Sequence, residues 1–170
     1  MKIKSDGKRV VSKALIPAVF TQSAIRIAML LADTIQVLSA TQARQMKEFA
    51  ERAQASLARF SSAEVSYDAT GLQLLDEWVD RHLRQFPNPS PNVLTVWGAF
   101  LGETFRQRLN GEWVIDKASG KSRLGILVPK GEHNALFIDV MDQVDRRTKG
   151  GIAESLAYYY TIKSIEAREE

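Results

Sequence analysis

The spacing of apolar residues changes at Gly111, and this change is the strongest constraint that the sequence places on its fold. Before Gly111 the apolar residues recur every three or four positions, which is typical of amphipathic helices. After it, the apolar runs Trp113–Ile115 and Leu124–Val128 flank the loop Ala118–Lys121 and predict a β-hairpin. A third strand is predicted near Ala135–Ile138. The chain is therefore expected to be an α+β protein, with a three-stranded antiparallel sheet that helices cover on its apolar face.

The amino-terminal part predicts two helices in succession. The first covers about Pro17–Leu31, because proline suits a first helical turn and Ile25, Met29 and Ala32 form one stripe. The second covers about Gln42–Phe60, with Ser39 and Thr41 available as N-caps. Its apolar face consists of Met46, Phe49, Ala50, Ala53, Leu57 and Phe60. A short link joins the two helices, which predicts an N-terminal helical hairpin.

Two central helices are predicted next. One begins at Thr70, where the residues that follow have capping-box spacing, and ends at the proline-rich run Pro87–Pro91. Its acidic and basic residues at i,i+4 spacing indicate a solvated face; they are Asp76, Glu77, Asp80, Arg81 and Arg84. The other helix begins after Ser90 and runs to Leu109.

The carboxy-terminal part predicts a short helix, a loop and a longer helix. Asp139 is expected to cap the short helix, which extends through Val144. Arg146–Gly151 is interpreted as a basic, flexible loop. The C-terminal helix then covers about Ala153–Glu166.

Length and composition limit the class of protein. A chain of 170 residues fits one domain, here residues 1–170, with a helical extension over 1–60 and an α+β body over 61–170. The chain has no cysteine, which excludes disulfides, thiolate metal sites and cysteine nucleophiles and favours a cytoplasmic location. The apolar stretch from Ala14 to Ala32 is interrupted by Arg26 and polar residues, so no membrane span or export signal is expected.

Charge is distributed unevenly along the chain. Residues 1–60 contain ten Lys and Arg against four Asp and Glu, a net charge of +6, whereas the rest of the chain carries −3. The candidate basic patch consists of Lys2, Lys4, Lys8, Arg9, Lys13 and Arg26. Such a patch suits nucleic acid, an acidic partner or the acidic remainder of the chain. A nucleic-acid-binding function is therefore one alternative.

A distinctive string surrounds the change of period. Gly98 and Gly102 lie four residues apart on one helix face, and each costs about 1 kcal/mol relative to alanine, which indicates a packing requirement. The string Trp97-Gly98-Ala99-Phe100-Leu101-Gly102-Glu103, followed by Asn110-Gly111-Glu112-Trp113, resembles an uncharacterised bacterial domain family of unknown function. That family has a Leu-Gly-Ala-Tyr-Leu-Gly-Glu and Gly-Gly-x-Trp signature. The resemblance extends over about Tyr67–Tyr159, or roughly 60% of the chain, and implies a bacterial origin and a small sheet, without an activity.

Few residues are candidates for chemistry. They are Glu103, Arg106, Glu112, Asp139, His82 and His133. The two histidines lack metal-ligand spacing, and no nucleophile, phosphate-loop or dinucleotide motif occurs, so no catalytic residue, metal or cofactor is assigned. An enzyme that uses Glu103 and Arg106 is a second alternative.

The preferred hypothesis is a protein-interaction module: an adaptor, a regulator or an immunity-type protein. It follows from the abundance of apolar helix surface together with the absence of catalytic motifs. The candidate interaction residues are Met46, Phe49, Ala53, Leu57 and Tyr158. A protein partner or self-association is expected to cover them.

Overall fold

The structure is a computed structural model that describes residues 34–131 and 133–169. This part of the chain consists of helices and an antiparallel sheet. The elements in chain order are β1 (Ile35–Val37), α1 (Ala40–Ser61), α2 (Ala69–Gln85), α3 (Pro91–Arg108), β2 (Glu112–Asp116), β3 (Arg123–Lys130), β4 (Asn134–Ile138), α4 (Val140–Gly150), a 3-10 turn (Gly151–Glu154) and α5 (Leu156–Arg168). This arrangement confirms the predicted α+β class.

The sheet has four strands in the order β1-β2-β3-β4, and every neighbouring pair is antiparallel. The prediction of three strands is wrong because β1 joins the edge of the sheet, where Ile35 lies opposite Asp116. A strand of three residues is too short to show a period-two pattern. Strand β1 occupies the link predicted to join the two helices of the N-terminal hairpin. The second helix of that prediction, observed as α1, therefore follows a strand. The first predicted helix, Pro17–Leu31, lies outside the described residues.

Helix α1 belongs to the main core of the protein. Its N-cap is Ser39, whose Oγ accepts from the Gln42 N–H at 3.2 Å while the Gln42 side chain accepts from the Ser39 N–H, a complete capping box. The helix packs chiefly against α3. Its buried residues join one continuous apolar cluster that also includes the core faces of the other helices and of the sheet.

The central helices begin and end at residues with clear local causes. Asp68, not Thr70, is the N-cap of α2, and its carboxylate accepts from the Gly71 N–H at 2.8 Å. Helix α3 begins as predicted, with Ser90 as N-cap and Pro91 in the first turn. Asn110 then adopts a left-handed conformation, with φ of 52°, and turns the chain into β2.

The segment predicted as a basic loop, Arg146–Gly151, is mostly helical, because α4 continues to Gly150. The reason is a long-range ion pair. Arg147 is completely buried and its Nε donates to Asp76 Oδ1 at 2.7 Å, while its Nη2 donates to Asp80 Oδ1 at 2.7 Å. Local charge therefore indicates a solvent-exposed loop, whereas the fold buries the arginine.

Asp76 links three helices of the core. Besides Arg147 of α4, its carboxylate accepts from the Ser155 hydroxyl at 2.7 Å and from the backbone N–H groups of Leu156 and Ala157 at 3.0 and 3.1 Å. Those two N–H groups lie in the first turn of α5, so Asp76 of α2 caps α5 from across the core. The interpretation of Asp76 as part of a solvated face is wrong, since only 4% of it is exposed.

Candidate interaction groove

Three helices, α1, α2 and α3, leave an open groove between them. Its inner part encloses about 250 Å³ and its outer part about 480 Å³, and both parts share Ser56, Trp78 and His82. The inner part is lined mainly by apolar side chains: Ala53, Leu57, Leu75, Val93, Val96 and Trp97. The groove thus combines a continuous apolar floor with an open side.

Aromatic contacts hold the floor of the groove in place. The rings of Phe60 and Trp78 meet edge to face at 5.1 Å, and the imidazole of His82 meets Trp97 edge to face at 5.2 Å. Trp78 and His82 lie four residues apart, on one face of α2. Because α1 and α3 hold them from both sides, these rings present a fixed apolar surface.

The rim of the groove is cationic. Arg59 of α1 and Arg81 of α2 line its outer part, and the guanidinium of Arg81 lies 5.5 Å from the centre of the Phe60 ring. Among residues 34–131 and 133–169, none of the side chains that line either part carries a carboxylate. The groove is therefore complementary to a ligand with an apolar face and acidic flanks.

A second apolar surface lies on α5. Tyr158, Ile162 and Ile165 are 65%, 42% and 50% exposed, and Ile152 in the preceding 3-10 turn is 64% exposed. The three α5 residues have i, i+4, i+7 spacing, which aligns them in one stripe like a coiled-coil seam. The candidate interaction residue Tyr158 thus lies on an exposed apolar stripe.

The other candidate interaction residues lie inside the protein. Met46, Ala53 and Leu57 are buried in the core, and Phe49 is partly buried under the guanidinium of Arg52. Ala53 and Leu57 also form part of the lining of the inner groove. Met46 and Phe49 do not line the groove and pack in or against the core. The candidate basic patch, Lys2 to Arg26, lies outside the described residues.

Glu103 is almost completely buried and is held by two neighbours on its own helix. Its Oε1 accepts from Arg106 Nη2 at 2.7 Å and from Gln107 Nε2 at 3.0 Å, and Arg106 Nε donates to both carboxylate oxygens. Burial alone would raise the pKa of Glu103, but the hydrogen bonds and the charge of Arg106 lower it below its ordinary value. The carboxylate is thus held ionised and paired, which makes it a poor proton donor.

Around Glu103 lies a separate cleft of about 360 Å³, bordered by the start of α1 and by β2. Burial raises the pKa of Glu112, and the charge of Glu103 adds to the effect. Burial and the same charge raise the pKa of Tyr67 to about 12, and its hydroxyl has no hydrogen-bond partner within the described part of the chain. The Trp113 indole N–H also lowers the pKa of Glu103, although no group of residues 34–131 or 133–169 meets it at hydrogen-bonding geometry. The cleft therefore holds one ionised and paired carboxylate, Glu103, and one carboxyl with a raised pKa, Glu112.

The glycines of the distinctive string accommodate side chains. A Cβ on Gly102 would lie 2.1 Å from the Trp113 ring, and one on Gly98 would lie 2.4 Å from the Met141 sulfur. A Cβ on Gly111 would lie 2.4 Å from the Ile126 side chain. Glycine at these positions therefore lets β2, β3 and α4 pack closely against α3 and the turn that follows it.

The remaining chemistry candidates are separated in space. Asp139 caps α4 by accepting from the Asp142 N–H at 3.0 Å, His133 lies in the turn before β4, and His82 lies in the groove. Within residues 34–131 and 133–169, no three His, Asp or Glu side chains are grouped as a metal site requires. None of the helices in the described part of the chain has the length and apolar character needed to cross a bilayer.

The groove could not be predicted from the sequence. The helical period places Trp78 with the buried residues of α2, since Leu74, Leu75 and Val79 share its face. A possible signal is the aromatic pair Trp78 and His82 at i,i+4, but the same pair fits a closed core. No family model, curated protein or solved structure matches this chain.

Proposed function

We propose that this chain is a protein-interaction module whose groove between α1, α2 and α3 binds a short helical segment of a partner protein. The observation that carries the proposal is the combination of an apolar aromatic floor with a rim whose described residues carry cationic side chains and no carboxylate. An amphipathic helix supplies apolar side chains at i, i+3 and i+4, which suits such a groove. Acidic residues beside that stripe would pair with Arg59 and Arg81.

The cellular role that we propose is that of a bacterial cytoplasmic adaptor, regulator or immunity-type protein. Its support is the resemblance to a bacterial family and the absence of cysteine. The nucleic-acid alternative depends on Lys2, Lys4 and neighbouring basic residues, which lie outside the described part of the chain. The enzyme alternative receives little support, because Glu103 is ionised and paired with Arg106.

The test first selects helical peptide ligands and then measures how substitutions in the groove change their affinity. A displayed library of helical peptides is selected on the full-length chain, and the affinity of the winners is measured by calorimetry. We expect apolar stripes flanked by Asp and Glu. Reversing two rim charges, in the R59E/R81E variant, should weaken binding about tenfold, since two exposed ion pairs contribute roughly 0.2–1 kcal/mol each and their reversal adds repulsion.

Val93 offers a variant that blocks the floor and preserves the helix. It is the third residue of α3, a position where glutamate after a Ser N-cap is well tolerated, so V93E replaces an apolar side chain of the groove with a carboxylate without breaking the helix. R168E, a charge reversal at the exposed end of α5, is the matched control. If R59E/R81E and V93E bind the selected peptides as tightly as R168E does, the groove is not the binding site.

A further inference from the structure

Two positive charges meet at the outer part of the groove without a counter-ion. Arg59 of α1 and Arg81 of α2 both line it. Arg59 Nη2 donates to the neutral Ser56 hydroxyl at 3.3 Å, and the guanidinium of Arg81 lies over the Phe60 ring. Within the described part of the chain, neither guanidinium forms an ion pair. Two unmatched like charges at one opening attract an anion.

The local sequence does not account for both arginines. Glu77 lies one turn before Arg81, at the i,i+4 spacing of a helical ion pair, yet the guanidinium of Arg81 lies over Phe60 of α1 instead. Arg59 lies in the last turn of α1, where the free carbonyl groups amount to about half a negative charge. That partial charge leaves much of the charge of Arg59 unmatched, and it does not explain Arg81.

The other polar groups at this opening are hydrogen-bond donors as well. The Ser56 hydroxyl, the His82 imidazole and the Gln85 amide line the same outer part. A carboxylate offers a single charge and two oxygens, whereas a phosphate monoester offers three oxygens and a charge of roughly −1.5 to −2 at neutral pH. Planar guanidinium groups pair with phosphate through two parallel hydrogen bonds. Two arginines therefore match one phosphate better than one carboxylate.

The inner part of the groove indicates what carries the phosphate. It adjoins the outer part through Ser56, Trp78 and His82, and its lining is mainly apolar. Along α2 the lining changes from Leu75 in the inner part to Gln85 in the outer part, ten residues or about 15 Å further along the helix. A free phosphate ion would leave the apolar floor empty. A helical segment with an apolar stripe and a phosphate about two turns away fills both parts.

We propose that the outer part of the groove binds a phosphorylated serine or threonine side chain of the partner helix, an inference that rests on the proposed function of the groove. Arg59 and Arg81 hold the phosphate oxygens, and the apolar floor holds the helix that carries them. Phosphorylation of the partner then strengthens the complex, and removal of the phosphate weakens it.

Synthetic helical peptides test the proposal on the full-length chain. Two libraries are screened that differ only in whether one fixed serine is phosphorylated. The best peptides are then made with serine, glutamate or phosphoserine at that position, and their affinities are measured by calorimetry. We expect phosphoserine to bind about tenfold more tightly than serine and about threefold more tightly than glutamate, because it adds charge-assisted hydrogen bonds to both arginines.

Lysine variants separate the guanidinium forks from simple charge. R59K/R81K keeps both positive charges but loses the paired hydrogen bonds, so the preference for phosphoserine over serine should fall about threefold. The serine peptide should bind this variant as it binds the parent. The matched control is R84K/R168K, which changes two exposed arginines outside the groove and should leave the preference intact.

Each result other than the expected one decides against a different part of the proposal. If the serine and phosphoserine peptides bind equally well, the phosphate site is wrong and the groove remains a peptide site. If no peptide of either library binds, the proposed function fails and this inference fails with it. If free phosphoserine binds as tightly as the phosphorylated peptide, the site serves a small phosphorylated molecule and not a partner helix. If R59K/R81K keeps the same preference as R84K/R168K, the two arginines do not hold the phosphate.

Discussion

Removing the charge of Asp76 should destabilise the protein far more than removing that of Asp80. Both carboxylates pair with Arg147 at 2.7 Å, but the side chain of Asp76 is 6% exposed whereas that of Asp80 is 45% exposed. In D76N the guanidinium of Arg147, which has no exposed surface, loses its buried counter-ion. Burial alone would lower the pKa of Arg147, and the hydrogen bonds and charges of Asp76 and Asp80 raise it instead.

The magnitude follows from the structure. Removing one partner of a buried ion pair costs about 3–5 kcal/mol, because the other charge stays buried. D76A also removes the acceptor for the Leu156 and Ala157 N–H groups, which adds about 1 kcal/mol. These losses approach the roughly 5–15 kcal/mol of a typical domain, so D76A is expected to be partly unfolded. D80N, whose pair is half exposed, should lose about 1 kcal/mol or less.

Urea unfolding followed by circular dichroism gives the free energies of D76N and D80N. A double variant, D76N/R147M, removes both charges and should recover part of the stability that D76N loses. If D76N lies within about 1 kcal/mol of the parent, or if D80N is as unstable as D76N, then Asp76 is not the buried counter-ion.

Four further outcomes test other parts of the molecule. G102A should lose about 1–2 kcal/mol of stability in urea unfolding, because its Cβ overlaps the Trp113 ring. The gain in helix propensity offsets only part of that strain. A variant as stable as the parent would mean that the Trp113 ring has room to move. The folded-state pKa of Glu103 is lowered, so the stability that its ionised form contributes is present above its ordinary pKa and is lost in acid. E103Q should therefore be less stable than the parent at neutral pH, and the difference in stability should close at acidic pH. The pKa of Glu112 is raised, so its ionisation weakens the fold and E112Q should be more stable than the parent at neutral pH. Thermal unfolding measured across pH gives the stability change of E103Q and of E112Q. If both variants change stability in the same direction at neutral pH, the result contradicts this account. The α5 stripe should drive concentration-dependent self-association in sedimentation experiments, and I162E should abolish it; a parent chain that stays monomeric at high concentration would contradict this role.

The elements that the sequence predicts well are those with strong local signals. Ser90 followed by Pro91 fixes the start of α3, and the change of period after Gly111 marks the hairpin of β2 and β3. These features depend on caps, turns and periodicity within a few residues. The α+β class follows from them directly.

The features that the sequence misses depend on contacts between distant residues. Arg147 and Asp76 are 71 positions apart, so neither the helical continuation of α4 nor the burial of Asp76 can be inferred from local charge. β1 becomes a strand only because β2 offers it a partner. The groove arises where three helices fail to close over Trp78, which depends on their relative orientation and not on the pattern of any one helix.

The most direct test of the groove as a binding surface uses the indole N–H signals of the three tryptophans in NMR spectra. Trp78 and Trp97 line the groove, whereas Trp113 packs on Gly102 at the sheet. On titration with a selected acidic helical peptide, we expect the Trp78 signal to shift in a saturable manner and the Trp113 signal to stay in place. Binding by calorimetry with Trp78 unmoved, or with Trp113 as the signal that shifts, would contradict the groove as the binding site.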